Sequence, residues 1–321
     1  MKKSAMTAVR DCLGIKPEET LLILTDPNKK SIAEALFDAA RKCGAEPYML
    51  MMWERDHHGE EPPAPIPELM KMVSAVIAPT TYSVSHTQAR KEACKAGVRI
   101  GTMPMITEGM MNKGAMTADF PKMKAWAEKL HVILKRSNRV HVTTALGTDV
   151  TLNIPTDKWT LDTGVLDKPG SFGNLPGGEV FLPPTNVNGV LVVDGAFSGY
   201  GLVDKPVKIT IKDNYAQKIE GGKAAKKIQE VLEKASKPLA DPNWVFNMAE
   251  FGIGINPKAK LIGNPLEDEK VIGTFHMALG DNSTFGGNIR ANVHLDGIVK
   301  RPTITVGDTV IMKGGKFVAK L

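Results

Sequence analysis

The stretch TLLILTDPNKKSIAEALFDAARKCGAEPYMLMMW, residues 20–53, decides the fold of the first half of the chain. Thr20–Thr25 is apolar enough for a buried strand, and the Asp-Pro-Asn that follows it is a typical helix start. Ser31–Lys42 carries apolar residues at helical spacing, a glycine ends that helix, and Pro47–Trp53 has the composition of a second strand. A strand, a helix and a strand in this order predict parallel strands with the helix packed on the sheet.

The same alternation continues along the rest of the first half. The apolar run Ala75–Ala78, a helical stretch from Thr87 to Lys95 and a short strand at Val98–Gly101 repeat it. Before these elements, Gly59–Pro67 carries four prolines, which predicts a surface loop. Neither GxGxxG nor a P-loop follows the first strand, so we predict a Rossmann-like α/β domain with a parallel sheet that binds no nucleotide.

The second half has a different hydrophobic pattern, with more strands than helices. Val140–Thr144 and Asp149–Ile154 alternate in polarity and flank a glycine-containing turn, which is typical of a hairpin. A clear helical period occurs at Lys223–Ala235, and most of the remainder has the pattern of strands. We predict an α+β, mainly β, domain, with the 321 residues divided into domains at 1–135 and 136–321.

Composition excludes several classes of protein. Hydrophobic residues make up 42% and charged residues 24% of the chain, which is typical of a folded globular protein rather than a disordered one. No apolar run has the length of a membrane helix, and the N-terminus does not resemble a signal peptide, so we expect a cytoplasmic protein. The net charge of +6 is spread out and not interleaved with aromatic residues, so we expect no nucleic-acid partner and no membrane partner. The three cysteines lack CxxC spacing and indicate reduced thiols.

Two histidines of the second half lie among acidic residues and glycines. His294 and Asp296 form an HxD pair, and because residues two apart on a strand face the same side, their side chains converge. His276 follows an acidic turn that ends at Glu269. Imidazole and carboxylate together are ligands that divalent transition metals accept.

Two further carboxylates stand in apolar surroundings. Glu179 follows a Pro-Gly-Gly turn and precedes an apolar run, and Glu250 lies between apolar residues at the expected edge of a strand. A buried carboxylate is costly unless it is paired or binds a metal. Structural roles, a turn cap for Glu179 and a lysine pair for Glu250, are the alternatives for each residue taken singly. Taken together with the two histidines and Asp296, they favour a metal site.

The second half resembles a known family. The segments LPGGEVF (175–181), AEFGIGINP (249–257), DEKVIGTFHMALG (268–280) and HLD (294–296) are similar to the metal-binding signature of the thermophilic metallo-aminopeptidases, aminopeptidases T and S. The resemblance implies a two-metal site whose five ligands are Glu179, Glu250, His276, His294 and Asp296. The family usually has a tyrosine seven residues after its first ligand histidine, where this chain has Ser283, and the chain is also shorter than the characterised peptidases.

A more distant resemblance leads to the 2,5-dihydroxypyridine dioxygenases. They share the fold and bind a single Fe(II) through two histidines and an aspartate. Their HxD pair matches His294 and Asp296, while their other histidine falls where this chain has Glu250. This resemblance implies a mononuclear Fe(II) ring-cleaving dioxygenase as the alternative function.

The leading hypothesis is a metallo-aminopeptidase or amide hydrolase that uses a water activated by two metal ions on short peptides. The ions are zinc, cobalt or manganese, with iron also compatible, because the same donors accept all of them. Glu269 is the candidate for proton transfer or for orienting a ligand, and its alternative is a solvated acidic turn. A non-catalytic binding protein is the remaining alternative.

A homodimer is the expected assembly, implied by the characterised peptidases and by the frequency of two-fold symmetry. The sequence adds a cluster of methionines that suits either a contact between subunits or a filled core. The cluster consists of Met103, Met105, Met110, Met111 and Met116.

Overall fold

The structure, a computed structural model, describes residues 1–318, which form two compact units. The first unit contains Met1–Lys124, Asp162–Gly178 and Pro257–Ala259, and the second contains the remaining described residues. The chain therefore passes between the units several times, whereas the sequence predicted one crossing near residue 135. The difference arises because a short strand from the middle of the chain completes the sheet of the first unit.

The strands in chain order are β1 (Thr20–Thr25), β2 (Glu46–Met51), β3 (Ala75–Thr80), β4 (Arg99–Pro104), β5 (Arg139–Thr143), β6 (Asp149–Asn153), β7 (Thr160–Asp162), β8 (Phe172–Asn174), β9 (Glu179–Leu182), β10 (Asn186–Val193), β11 (Ala196–Phe197), β12 (Gly201–Leu202), β13 (Val207–Lys212), β14 (Tyr215–Glu220), β15 (Met248–Gly254), β16 (Thr274–Gly280), β17 (His294–Lys300), β18 (Thr303–Val306), β19 (Thr309–Lys313) and β20 (Lys316–Phe317).

The α-helices are α1 (Lys2–Met6), α2 (Lys30–Lys42), α3 (Ile66–Lys71), α4 (Gln88–Lys95), α5 (Glu108–Lys113), α6 (Phe120–Leu134), α7 (Lys223–Ser236) and α8 (Pro265–Asp268). Thr7–Cys12 forms a short π-helix, and three short 3-10 helices occur elsewhere. Along residues 1–318, no helix combines the length and the apolar character that crossing a membrane requires.

The first unit contains the predicted parallel sheet, with strand order β2-β1-β3-β4-β8. Its inner strands β3 and β4 are buried along their whole length, because helices cover both faces of such a sheet. Asp26 begins the segment after β1 by accepting a hydrogen bond from the Asn28 amide. The predicted α/β class of the first half is confirmed.

The second unit is mainly antiparallel, as predicted. One sheet has eight strands in the order β14-β13-β10-β6-β5-β18-β19-β20. The other has seven, in the order β12-β11-β17-β16-β15-β9-β7. In this second sheet β15 and β16 are buried at every residue, which allows polar side chains on them to be held away from bulk water.

Four of the five clustered methionines belong to the core of the first unit, and Met105 is partly exposed. Met103, Met110, Met111 and Met116 are fully buried within a single chain. Side chains buried in this way cannot contact another subunit, so these four methionines give no support to the expected dimer. The three cysteines are free thiols, and burial raises the pKa of each of them.

Candidate metal centre

The five residues selected from the sequence lie on four neighbouring strands of the seven-stranded sheet. Two of the strands contribute one interior residue each, a third strand contributes its first residue, and the fourth strand contributes two residues. The positions are Glu179 at the start of β9, Glu250 in β15, His276 in β16, and His294 and Asp296 in β17. The second unit alone therefore supplies the whole donor set.

The register of the strands places these side chains on one face of the sheet. Asp296 pairs with Ala278, which in turn pairs with Glu250, and directly opposed residues of antiparallel strands share a face. His276 pairs with Gly252, and Glu179 pairs with Gly254. Glycine and alanine thus occupy the positions between the donors, and the space above them is left for the donor side chains.

Glu250 owes its orientation to an irregularity of β15. The register between β15 and β16 shifts by one residue between Met248 and Glu250. Because side chains alternate between the two faces, one additional residue decides which face a carboxylate occupies. The sequence placed Glu250 at the edge of a strand, but it lies within β15, where its neighbours on both sides are buried.

The two oxygens of Glu250 face two different groups of donors. Oε1 lies 3.1 Å from Nε2 of His276, and this nitrogen lies 3.2 Å from Oε2 of Glu179. Oε2 of Glu250 lies 3.3 Å from Nε2 of His294, which lies 3.3 Å from Oδ1 of Asp296. Each group has one imidazole and two carboxylates whose donor atoms lie within 4.8 Å of one another.

The ring orientation of His294 suits a metal ligand. Its Nδ1 lies 2.8 Å from the carbonyl oxygen of Asp281. Because a carbonyl oxygen only accepts, Nδ1 carries the hydrogen and Nε2 is directed toward the carboxylates. Such an outer hydrogen bond fixes the tautomer and the ring plane of metal-binding histidines.

The carboxylates create a negative electrostatic potential that favours positively charged groups at this site. Burial alone lowers the pKa of His276, but the hydrogen bond with Glu250 and the charges of Glu179 and Asp296 outweigh it and raise this pKa to about 9. The pKa of His294 is likewise raised, against the effect of burial, mainly by Asp296. Burial raises the pKa of Asp296, yet the two histidines and Glu269 lower it overall.

The donors present fit a bound cation. Oε2 of Glu179 and Oδ1 of Asp296 are buried, and no hydrogen-bond donor satisfies either oxygen within residues 1–318. An unsatisfied buried carboxylate oxygen is costly, and a cation placed between the facing donors removes that cost. Imidazole nitrogens with carboxylate oxygens form a donor set that zinc, manganese, cobalt and iron accept.

A buried lysine that the sequence analysis missed joins two of the carboxylates. Nζ of Lys270 lies 2.7 Å from Oε1 of Glu179 and 2.7 Å from Oε2 of Glu269, and the lysine side chain is 1% exposed. Glu269 also hydrogen-bonds Asp296, and burial raises the pKa of Glu269 well above its ordinary value.

The alternative that residues 267–269 form a solvated acidic turn is wrong. Glu267 and Asp268 are 1% and 2% exposed. Asp268 accepts hydrogen bonds from the amides of Ile262 and Gly263, and burial raises its pKa to about 6. The turn is a folded element that carries Glu269 to the donors.

Ser283, at the position of the relatives' tyrosine, does not face the donors. Its hydroxyl donates to Oδ1 of Asp281 and stabilises the loop after β16. Phe285, two residues later, places its ring edge-on against the ring of His294, with centroids 5.7 Å apart. No sequence signal distinguished Phe285 or Lys270, because neither belongs to a spacing pattern for metal ligands.

Fold and donor set together define an enzyme scaffold with a candidate metal site built on one antiparallel sheet. The chain belongs to the 2,5-dihydroxypyridine 5,6-dioxygenase family, whose sequence profile matches residues 3–319. Among curated proteins, no sequence matches this chain.

Two solved structures share the fold. One is the 2,5-dihydroxypyridine dioxygenase from Pseudomonas putida KT2440, with 17% identity, a TM-score of 0.83, and coverage of 99% of this chain and 97% of that one. The other is wild-type AmpT from Thermus thermophilus, with 16% identity, a TM-score of 0.72, and coverage of 99% and 98%. The sequence motifs favoured the aminopeptidases, whereas the family match is to the dioxygenase, and the fold is shared with both.

Proposed function

We propose that this protein is a metal-dependent hydrolase that acts on short peptides or amides with two divalent cations. The single observation that carries the proposal is that the two carboxylate oxygens of Glu250 face different donor groups. One of its oxygens faces the group with Glu179 and His276, and the other faces the group with His294 and Asp296. A carboxylate shared in this way is suited to bridging two cations.

The chain's own residues supply the charge and geometry that such a site needs. Three carboxylates offset most of the positive charge of two divalent ions, and two neutral imidazoles complete the set. When bound, the ions would lower the pKa of a water and polarise the substrate carbonyl. Glu179, Glu250, His276, His294 and Asp296 would hold the ions. The sheet shields one side of the site from water, and the His294 side is open, where the side chain is 31% exposed.

A mononuclear Fe(II) dioxygenase is the second candidate, and the family match favours it. Iron oxygenases of the facial-triad type use two histidines and one carboxylate. In the described part of this chain, each three-donor group has one histidine and two carboxylates. Glu250 occupies the position at which the sequence analysis placed the dioxygenases' other histidine. This donor composition is the reason for preferring the hydrolase.

We expect the purified protein to bind about two divalent ions per chain and to release amino acid from aminoacyl amides. Elemental analysis gives the ion count, and a panel of aminoacyl amides and dipeptides gives the activity. Zinc, cobalt, manganese and iron are each loaded into metal-free protein, and oxygen consumption with 2,5-dihydroxypyridine is measured in parallel. One iron per chain with oxygen consumption would establish the dioxygenase instead. Bound metal without either activity would support a binding protein.

Glu269 and Lys270 form the outer support of this site. Lys270 holds one oxygen of Glu179, which leaves the other for a cation, and Glu269 holds Asp296. The pair thus connects the two outer carboxylates, one from each donor group. Of the two roles considered for Glu269, these contacts favour orientation of a ligand over proton transfer to substrate.

Replacing Lys270 by methionine is expected to destabilise the metal-free protein by about 3–5 kcal/mol, because it leaves Glu179 and Glu269 without their buried partner. Urea unfolding measures the change. Lys300→Met is the matched control, since Lys300 pairs with Asp194 at 3.5 Å but its side chain is 39% exposed. The control should change stability by less than about 1 kcal/mol. Equal effects of the two substitutions would contradict the supporting role of Lys270.

A further inference from the structure

Access to the donor groups is open mainly at one side chain. The side chains of Glu179, Glu250, His276 and Asp296 are at most 9% exposed, whereas that of His294 is 31% exposed. A substrate that reaches the donors therefore passes the ring of His294.

Two phenylalanine rings border this open side. The ring of Phe285 packs edge-on against His294, and the ring of Phe181 packs edge-on against Phe285 with centroids 5.6 Å apart. Both phenylalanines are half-buried rather than enclosed. Phe181 lies two residues after Glu179 on β9 and pairs with Gly252, so it shares the face of the sheet that carries the donors.

The backbone around Phe285 is fixed. The side-chain oxygen of Asn282 accepts from the Ile289 amide, and its backbone oxygen accepts from the Gly287 amide. Asp281 accepts from the amides of Ser283 and Ala291. A loop tied at this many points presents its aromatic ring at a defined position and does not have to be ordered when a ligand binds.

We propose that Phe181 and Phe285, called here the aromatic wall, receive the apolar side chain of the substrate's N-terminal residue. The inference rests on the proposed hydrolase function and names its substrate class: short peptides or amides that begin with an aromatic or large aliphatic residue. Half-exposed rings beside a reactive centre gain free energy when an apolar group covers them. The wall offers no charge to a polar side chain.

Binding of amino-acid hydroxamates to the metal-loaded protein tests the wall without depending on catalysis. L-phenylalanine hydroxamate and L-alanine hydroxamate are titrated calorimetrically, and metal content is measured on the same samples. We expect the wild type to bind the phenylalanine compound at least about tenfold more tightly. Phe285→Ala and Phe181→Ala should each remove most of this preference and leave binding of the alanine compound and the metal content unchanged. Trp53→Ala, an 82% exposed aromatic in the first unit, is the control and should change nothing.

The outcomes separate the wall from the function. A wild type that hydrolyses no amide but prefers the phenylalanine compound, and loses that preference in the variants, overturns the hydrolase and keeps the wall. Hydrolysis without any preference overturns the wall alone. An equal loss of affinity for both hydroxamates in Phe285→Ala would overturn the wall and would mean that the Phe285 ring only orients His294. If Phe285→Ala loses metal, the result for Phe181→Ala tests the wall instead, because the ring of Phe181 contacts Phe285 rather than the ligand His294.

Discussion

Replacing Glu250 by glutamine is expected to remove both cations at once. Each oxygen of Glu250 faces a different donor group, so the loss of one negative charge weakens both. Glutamine also presents an amide NH₂ where one group needs an acceptor. We expect the metal content to fall from about two ions per chain to less than one, and hydrolysis to fall at least about a thousandfold. Elemental analysis and initial rates measure the two effects.

The matched controls are substitutions of the outer carboxylates. Glu179→Gln should lose one ion and Asp296→Asn should lose the other, because each belongs to one group. Circular dichroism and urea unfolding establish that the variants remain folded. Glu250→Gln protein that retains one ion with full occupancy would mean that Glu250 does not bridge, and would remove the main support for two metals.

Replacing Gly252 by alanine is expected to displace His276. An added Cβ would lie 2.0 Å from Nε2 and 2.3 Å from Cε1 of that ring, so the ring must move. Displacing a ligand by about 1 Å lowers the rate on the order of a hundredfold. Overpacking of a filled site costs about 1–3 kcal/mol of unfolding free energy. The metal content, the initial rate and the free energy of unfolding measured in urea should all be lower in this variant.

Gly109→Ala provides the matched control for that methyl group. Gly109 lies in α5, and the contact its Cβ would make is an ordinary one, 3.5 Å from Oγ1 of Thr107. Alanine is a better helix former than glycine, so this variant should be neutral or slightly more stable. A Gly252→Ala protein with wild-type metal content and rate would show that His276 is not held as described.

The fold class and the donor residues were accessible from sequence because both depend on local patterns. Alternation of apolar residues predicted the parallel sheet and the β-rich second half, and the HxD spacing predicted that His294 and Asp296 converge. Glu179 and Glu250 stood out because a carboxylate among apolar residues needs a partner. Their meeting across β9, β15 and β17 is a consequence of strand register, which the resemblance supplied and local pattern did not.

Other features depend on long-range contacts that no local pattern records. The three residues of β8 are too few for a periodicity, so the mixing of the two units along the chain was missed. The irregularity of β15 gives no signal in composition, so Glu250 was placed at an edge. Lys270 follows an acidic turn, and nothing in the local sequence distinguishes it from an exposed lysine. The backbone beside Lys270 packs closely on Gly254, where an added Cβ would lie 2.2 Å from the Val271 carbonyl oxygen.

The donors come from β9 and from the three consecutive strands β15, β16 and β17, and this order has a consequence for how the site forms. The group of Glu250, His294 and Asp296 is complete only when β17, near the end of the described chain, has paired with β16. The group of Glu179, Glu250 and His276 needs only β9, β15 and β16. The pairing of β9 with β15 joins parts of the chain that are far apart in sequence, and contacts of this kind slow folding. Metal that binds only the completed sheet stabilises the native state in proportion to the logarithm of its free concentration. If the protein takes up the two proposed ions, the second would be held only after β17 has paired, and added metal should raise the free energy of unfolding of the completed sheet.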